Sequence, residues 1–332
     1  MCTAISYKVR NHYFGRNLDM ECSFNESVIV MPRKFPFTFR YAQSEKENFA
    51  IIGAGIVRDD VPLFYDGTNE KGLSMAGLSF VGNARYGEIK EGAVNIAPFE
   101  LIPWVLMQCE SVKQAKALLE KTNVAHIDFS SALPCAELHW LISDDRENLV
   151  LECTEEGMML YDNPLGVLTN NPPFPLQMFS LNNYMRLTNQ PPVNTFCKSL
   201  SLQEYSRGMG AIGLPGDLSS TSRFVRVAFN KLNSVCPNSE SKRVSQFFHL
   251  LYSVYQTRGA VQVKGGKYEY TVYSACCNTK KGIYYYTAYD NYTITAIDMK
   301  KENMDGEKLA VYPMKREGEF FYGNKAADGE AL

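Results

Sequence analysis

Histidine is scarce in this chain. Only His12, His126, His139 and His249 occur in 332 residues, each standing alone and none in an HExxH pattern. Metal hydrolysis and Cys-His chemistry thus lack their usual sequence signal, and each histidine is expected at the surface or satisfied in the core. The nine cysteines are odd in number, lack CxxC spacing and have no clustered histidines beside them. No metal site is expected from them, and most read as buried thiols of a reducing compartment. Basic clusters interleaved with aromatics are missing too, and 34 Lys+Arg against 36 Asp+Glu leave a net charge of -2. Nucleic acid is not an expected partner. No stretch approaches the roughly 18 apolar residues of a membrane span, and no signal-like n-region and h-region precede Cys2. A soluble, cytoplasmic protein with no membrane association is expected. There is no internal repeat, low-complexity tract or linker. At 45% hydrophobic residues the chain can bury a large core, as one large domain or two intimate ones.

What is present begins at the second residue. The chain opens Met1-Cys2-Thr3-Ala4, and Cys2 is small enough for methionine removal to leave it as the N-terminus. One residue would then carry a thiol (pKa roughly 8.5) and a free α-amine (roughly 8), a nucleophile and a base near neutral pH. That pairing suits amide hydrolysis.

Between Cys2 and about Phe80, short β-rich runs alternate with turns: 3–7, 12–16, 28–31, 37–40, 49–52 and 73–78. Arg10-Asn11 falls where a hairpin turn would set Cys2 and the 14–19 segment on neighbouring strands. Helices are expected over 98–110 and from the Ser111-Val-Lys-Gln114 capping pattern to about Thr122. Strands return at 138–142, 149–152 and 158–161, and the Asn170-Asn-Pro-Pro173 loop ends that block. Helical periodicity follows at 177–187, 222–232 and 244–255, and strands at 268–273, 282–288 and 292–297. This order, without βαβ alternation, predicts an α+β fold, a four-layer αββα sandwich of two antiparallel sheets. Gly208-Met-Gly-Ala-Ile-Gly213 matches GxGxxG, but Leu214-Pro-Gly216 follows it where a helix should start, so it reads as a loop and not a dinucleotide site. Cys276-Cys277 lies in a strand-like run, where adjacent side chains face opposite ways and packing is the expected role.

Several segments together carry a family resemblance: Met1-Cys-Thr-Ala4, Phe14-Gly-Arg-Asn-Leu-Asp19, Asn69-Glu-Lys-Gly72 with Met75-Ala-Gly-Leu78, Leu168-Thr-Asn-Asn171, Gly213-Leu-Pro-Gly-Asp217 and Ser222-Arg-Phe224. Over essentially its whole length the chain resembles the choloylglycine hydrolase family of N-terminal nucleophile hydrolases, which contains conjugated bile acid hydrolases and penicillin V acylases. Further segments, among them Leu138-His-Trp140 and Tyr268-Glu-Tyr-Thr271, resemble the bile salt hydrolases more than the acylases.

The resemblance implies a single domain over 2–332 with Met1 removed, a homotetramer, and hydrolysis of glycine- or taurine-conjugated bile acids through a Cys2 thioester without a cofactor. It also implies roles. Cys2 is the nucleophile, Arg16 favours its thiolate, Asp19 accepts a hydrogen bond from the α-amine, and Asn170 donates to the oxyanion. Arg223 would stabilise charge in acyl transfer or hold Asp19 and Arg16 in register. One position departs from the pattern. Gly77-Leu-Ser79-Phe80 has serine where the bile salt hydrolases usually have an oxyanion-hole asparagine and the acylases tyrosine. Ser79 keeps a backbone N–H with a shorter side-chain donor, and losing such a donor costs about 3 kcal/mol. The resemblance places the steroid pocket among the loops after Asp19, around 55–63 and around 129–138, with Leu18, Phe64 and Leu133 as linings. Two other readings stay open: a penicillin V or acyl-homoserine-lactone amidase, and a weakly active bile-acid-binding homologue.

Overall fold

The structure, a computed structural model, describes residues 1–43 and 48–324. β1 (Cys2–Val9) and β2 (Asn11–Met20) form the expected hairpin, its turn made by Arg10 at φ 61°, a left-handed conformation uncommon outside glycine. β3 (Ser27–Met31), β4 (Ile51–Arg58), β5 (Val61–Asn69) and β6 (Ser74–Ser79) follow as a meander. Asn69 clips the β5–β6 turn through bonds to Lys71 N, Leu73 N and the carbonyls of Leu106 and Cys109. A short strand, β7 (Val94–Ile96), leads into α1 (Leu101–Gln108) and α2 (Val112–Leu119), capped by Ser111, and then β8 (Thr122–Val124) runs parallel to β7.

The second half opens with β9 (Leu138–Ser143), β10 (Asn148–Thr154), β11 (Gly157–Asp162) and the short β12 (Val167–Leu168). Three helices come next: α3 (Phe174–Ser180), α4 (Ser220–Leu232) and α5 (Glu240–Tyr252). β13 (Val261–Gln262), β14 (Tyr268–Asn278), β15 (Ile283–Ala288), β16 (Asn291–Asp298) and β17 (Ala310–Pro313) close the chain.

Two antiparallel sheets result. One runs β12-β1-β2-β14-β15-β16, with β13 beside β14; the other runs β11-β10-β9-β6-β5-β4-β3-β17. The second sheet is apolar on both faces. Val28, Val30, Ile52, Ala54, Ala76, Leu78, Leu141 and Val150 join the core shared with the first sheet and α4–α5, while Ile29, Met31, Ile51, Met75, Trp140, Ile142, Leu149 and Leu151 pack with α1 and α2. That period-2 split is what a strand layer buried between a sheet and helices requires. The fold is α+β, with helices outside two stacked sheets, as expected.

Some local expectations fail. The 37–40 run is not a strand: Phe37 and Phe39 are buried in a loop, 4.7 Å apart, and Phe39 meets Trp104 of α1 edge-on at 5.2 Å. Their alternation comes from docking on a helix, not from ladder pairing. The helix expected over 177–187 runs from Phe174 to Ser180 and tightens into a 3₁₀ turn over 181–184. Gly208–Gly213 is a loop with one 3₁₀ turn, well short of α4.

Candidate active site

Strand register decides what surrounds Cys2. Cys2 pairs with Leu18 and Ala4 with Arg16, so these four share one face of the first sheet, the face toward the second. Thr3, Asn17 and Asp19 share the other face, beneath the helices. Gly15 is required for this arrangement, since a Cβ there would lie 1.9 Å from the Ala275 carbonyl oxygen of β14.

On the inter-sheet face, Arg16 Nη2 donates to Cys2 Sγ at 2.6 Å, and Nη1 to the carbonyls of Tyr65 at 3.0 Å and Gly77 at 2.5 Å. Behind it, Asp66 accepts from the hydroxyls of Tyr273 at 2.8 Å and Tyr284 at 2.7 Å. Burial opposes the charge on Arg16, but Cys2, Tyr273, Asp66 and Tyr284 outweigh it and hold the guanidinium firmly protonated. Asp66 is pushed up by burial, against the pull of Arg16 and the two phenols.

On the helix face, Asp19 accepts from Thr271 Oγ1 at 2.6 Å and from Gln256 Nε2 at 3.5 Å. Burial raises its pKa, opposed first by Arg223 and then by the N-terminal ammonium. Arg223, on α4, donates to the Cys2 carbonyl at 2.5 Å, to Thr3 Oγ1 at 2.7 Å, to Asn170 Oδ1 at 2.7 Å and to the Leu218 carbonyl at 3.0 Å. Its hydrogen bonds therefore grip β1 and Asn170, while Asp19 acts on it as a nearby opposite charge.

Asn170 ties the site to the second sheet. Its Oδ1 accepts from Cys2 N at 2.8 Å and its Nδ2 donates to the Ser79 carbonyl at 2.8 Å. One Nδ2 hydrogen is thus committed, and the second is what remains for an oxyanion. Met1 is attached, so Cys2 N is here an amide; the Met1 amine donates to the Asp19 carbonyl at 2.9 Å and ion-pairs with Glu269.

Ser79 owes its position to a sheet that opens. β5 leaves β6 after Asp66↔Ala76, whereas β9 stays paired as far as Ser79↔Leu138. Phe80 N bonds the Glu137 carbonyl, so Gly77 and Ser79, of the opposite parity, turn N–H and C=O to the vacated side. Arg16 and Asn170 take those two carbonyls, which leaves the Ser79 N–H on the same edge. Two β-bulges flank this opening. In β14 the register shifts between Thr271 and Tyr273, which sends Thr271 to Asp19 and Tyr273 to Asp66; in β5 it shifts at Tyr65, opposite Ala54 and Gly55.

Cys2, Arg16, Asp19, Ser79, Asn170 and Arg223 are all brought together. Phe64 and Leu133 line an apolar cavity of about 210 Å³ with Phe24, Leu63, Phe129 and Leu138. Tyr65, the carbonyl partner of Arg16, lines it as well. Leu18 lies apart from that cavity, buried opposite Cys2 in the inter-sheet core. Nothing in the sequence marked Asp66, Tyr273 or Gln256, whose places depend on bulges and long-range pairing; Glu269, Thr271 and Tyr284 lay inside matched segments without a role. Among the histidines, His12 is ringed by Ser6, Ser143 and Thr279, and His139 by Glu152 and the Thr169 carbonyl. Among the described residues no cluster of His, Cys, Asp and Glu could hold a metal.

Residues 2–312 match the family model for linear amide C-N hydrolases, choloylglycine hydrolase family. A bile salt hydrolase/transferase of Lactiplantibacillus plantarum is 51% identical, over 98% of this chain and 100% of its own, and one from Clostridium perfringens is 39% identical over 94% and 96%. A crystal structure of a conjugated bile acid hydrolase mutant from Clostridium perfringens superposes with a TM-score of 0.90 at 37% identity, covering 98% of this chain and 100% of that one. A penicillin V acylase from Agrobacterium tumefaciens, at 18% identity and a TM-score of 0.74, shares the fold. The buried thiol at the second residue, the arginines on either side of it and these matches place the chain in the choloylglycine hydrolase family of linear amide hydrolases.

Proposed function

We propose that the chain, as a single domain over residues 2–332 after loss of Met1, cleaves the amide of glycine- or taurine-conjugated bile acids through a thioester on Cys2. The observation that carries this reading is the buried 2.6 Å donation from Arg16 Nη2 to Cys2 Sγ. A guanidinium there stabilises the thiolate that must attack. The relatives at 51% and 39% identity, named as bile salt hydrolase/transferases, supply the substrate class.

The Cys2 thiol gives its proton to its own α-amine as sulfur attacks the carbonyl carbon. Negative charge on the carbonyl oxygen meets the Ser79 N–H and the second Nδ2 hydrogen of Asn170. The α-ammonium then protonates the leaving nitrogen, glycine or taurine departs, and the acyl group remains on sulfur. Water, giving a proton to the same amine, adds to the thioester; the bile acid is released and the thiol re-forms. No step calls for a cofactor. Asp19 and Arg223 hold β1 and the amine in place, and the apolar cavity takes the steroid body, with Phe64 and Leu133 in its wall and Leu18 behind Cys2.

No helix among the described residues is long and apolar enough to cross a membrane, and nine free thiols fit a reducing cytoplasm. The exposed apolar side chains of Val193, Phe196, Leu202 and Tyr205 fit burial in a homotetramer. The test is intact mass on active protein together with turnover of taurocholate, glycocholate and penicillin V. Loss of Met1 with turnover confined to the two conjugates is expected; full Met1 retention in active protein, or preference for penicillin V, would overturn it.

A further inference from the structure

β14 brings one more acid to the amine end of the site. Glu269 stands two residues before Thr271, on the face that carries Thr271 toward Asp19, and is only 6% exposed. Its carboxylate pairs with the Met1 ammonium, which also donates to the Asp19 carbonyl at 2.9 Å. Apart from that pair, Glu269 Oε1 has no hydrogen-bond partner among the described residues. Maturation therefore strips a buried carboxylate of its cation, a strongly unfavourable state unless another takes its place. The new α-ammonium is the group at hand. Cys2 N lies one backbone step, about 3.5 Å, from the nitrogen that leaves, and a single water in the vacated position spans the difference.

We propose that Glu269 is a positioning residue of the mature enzyme, holding the Cys2 α-ammonium across the site that Met1 vacates and favouring its protonated form. This rests on the α-amine being the base of the reaction. The charged groups that face the Met1 amine, one backbone step from this one, are Cys2 on β1, Arg16 and Asp19 on β2, Arg223 on α4 and Glu269 on β14. Burial disfavours the Met1 ammonium most and the two arginines add to that; Cys2, Asp19 and the ion pair with Glu269 favour it. Taking away Glu269 shifts that balance toward the neutral amine, so the amine loses its proton at lower pH.

The test is the pH profile of kcat/KM, which reports the free enzyme, for wild type and Glu269→Gln with Met1 loss verified by mass. The variant's acid limb should move down by about half to one pH unit, with KM for taurocholate unchanged and plateau kcat lowered less than tenfold. A limb that superimposes on wild type, in a variant with normal thermal stability, overturns the proposal. A fall in KM with an unmoved limb overturns it too, since it would set the carboxylate against the anionic end of the substrate. Should the glutamine variant not fold, Glu269→Asp keeps the charge but withdraws it by one methylene; its limb must move the same way by a smaller amount, and an unmoved limb overturns the proposal. Absence of any acid limb in the wild type would instead count against the α-amine as base, which separates that failure from one at Glu269.

Discussion

Cys2 and the Cys276-Cys277 pair are buried thiols of one sheet, a few residues apart across β2, yet their surroundings are opposite in kind. Cys277 pairs with Phe14 and Cys276 with Gly15, next to Arg16 in sequence, but both thiols are held protonated by burial, Cys277 pushed up to about 12. Cys2 is buried too, at 4% exposure, but has a guanidinium on its sulfur. Burial alone makes a thiol inert; burial beside a fixed cation makes it available as a nucleophile. Parity separates only Cys276, which shares the helix face with Gly15. Cys277, opposite Phe14, lies on the same face as Cys2 and Arg16, and differs in that Arg16 donates to Sγ of Cys2 while Cys277 meets the opposing charge of Asp66. Arg16 points from β2 toward the second sheet, on the side of Cys2, and its counter-charge, Asp66, arrives from β5 only because a bulge turns it inward.

The harshest break of this comparison is to exchange the roles by deletion. Cys2→Ala should abolish turnover of conjugated bile acids while bile acid binding stays measurable, and Cys2→Ser should retain little activity. Cys276→Ala and Cys277→Ala should keep kcat within about twofold and lower stability by about 1 kcal/mol each. Steady-state kinetics and thermal melts on the three alanine variants check this; comparable kcat losses at Cys277 would mean that the two regions are not chemically distinct.

Next in size is removal of the cation. Arg16→Gln takes away the charge and, being two atoms shorter, withdraws the Nη donors from Cys2 Sγ, so kcat should drop by about 10²- to 10³-fold, the scale of a lost electrostatic donor in a dry site. Alkylation of Cys2 by iodoacetamide at pH 7 should slow in parallel. Unchanged alkylation with a large kcat loss would move Arg16 from the thiol to the substrate.

Asp19 and Arg223 should matter somewhat less, because they hold the backbone and the amine rather than the sulfur. Asp19→Asn and Arg223→Gln are expected to lower kcat by about 10²-fold, the cost of a small misplacement, with KM rising only a fewfold. Melting temperature has to be followed alongside, since each change leaves a buried partner uncompensated. A large KM increase at constant kcat would assign them to substrate binding.

How much of this could be read in the chain differs by scale. Strands with a clear β-rich run and a turn signal, such as β1 and β2 around Arg10-Asn11, were legible, because both the period and the turn are local properties. Cys2 stands out by its own chemistry, a thiol and an α-amine on one residue, whereas the five residues that meet around it came from a family resemblance and not from local physics; taken singly, Arg16 or Arg223 looks like a surface residue. Phe37 and Phe39 misled for a physical reason, since a loop that docks two rings on Trp104 has the same alternation as a half-buried strand. β12 and β17, of two and four residues, are too short to carry a period. Asp66 and Tyr273 were out of reach altogether, since their convergence on Arg16 depends on two bulges, each an extra residue with no marker in composition; Tyr284 lay in a matched segment, but its bond to Asp66 is a contact between distant strands.

The smallest effect tests the one departure from the family pattern. Ser79 pairs with Leu138, a residue of the cavity wall, so the two side chains share one face of the second sheet, while the Ser79 N–H lies on the open edge of β6. Ser79→Asn adds a longer donor on that face without disturbing that N–H or the carbonyl held by Asn170. If the serine hydroxyl leaves the oxyanion short of a donor, kcat should rise about tenfold, within the range of a single oxyanion-hole donor. A rise in KM with constant kcat would mean that the larger side chain only narrows the cavity, and constant kcat and KM that the N–H and Asn170 already suffice. Taurine and glycine conjugates must be run together, because stabilising the carbonyl oxygen raises both whereas contact with the leaving amine separates them. A fall in kcat for both, with a lower melting temperature, would show that the wall beside Leu138 is packed for serine and that position 79 contributes through its backbone alone.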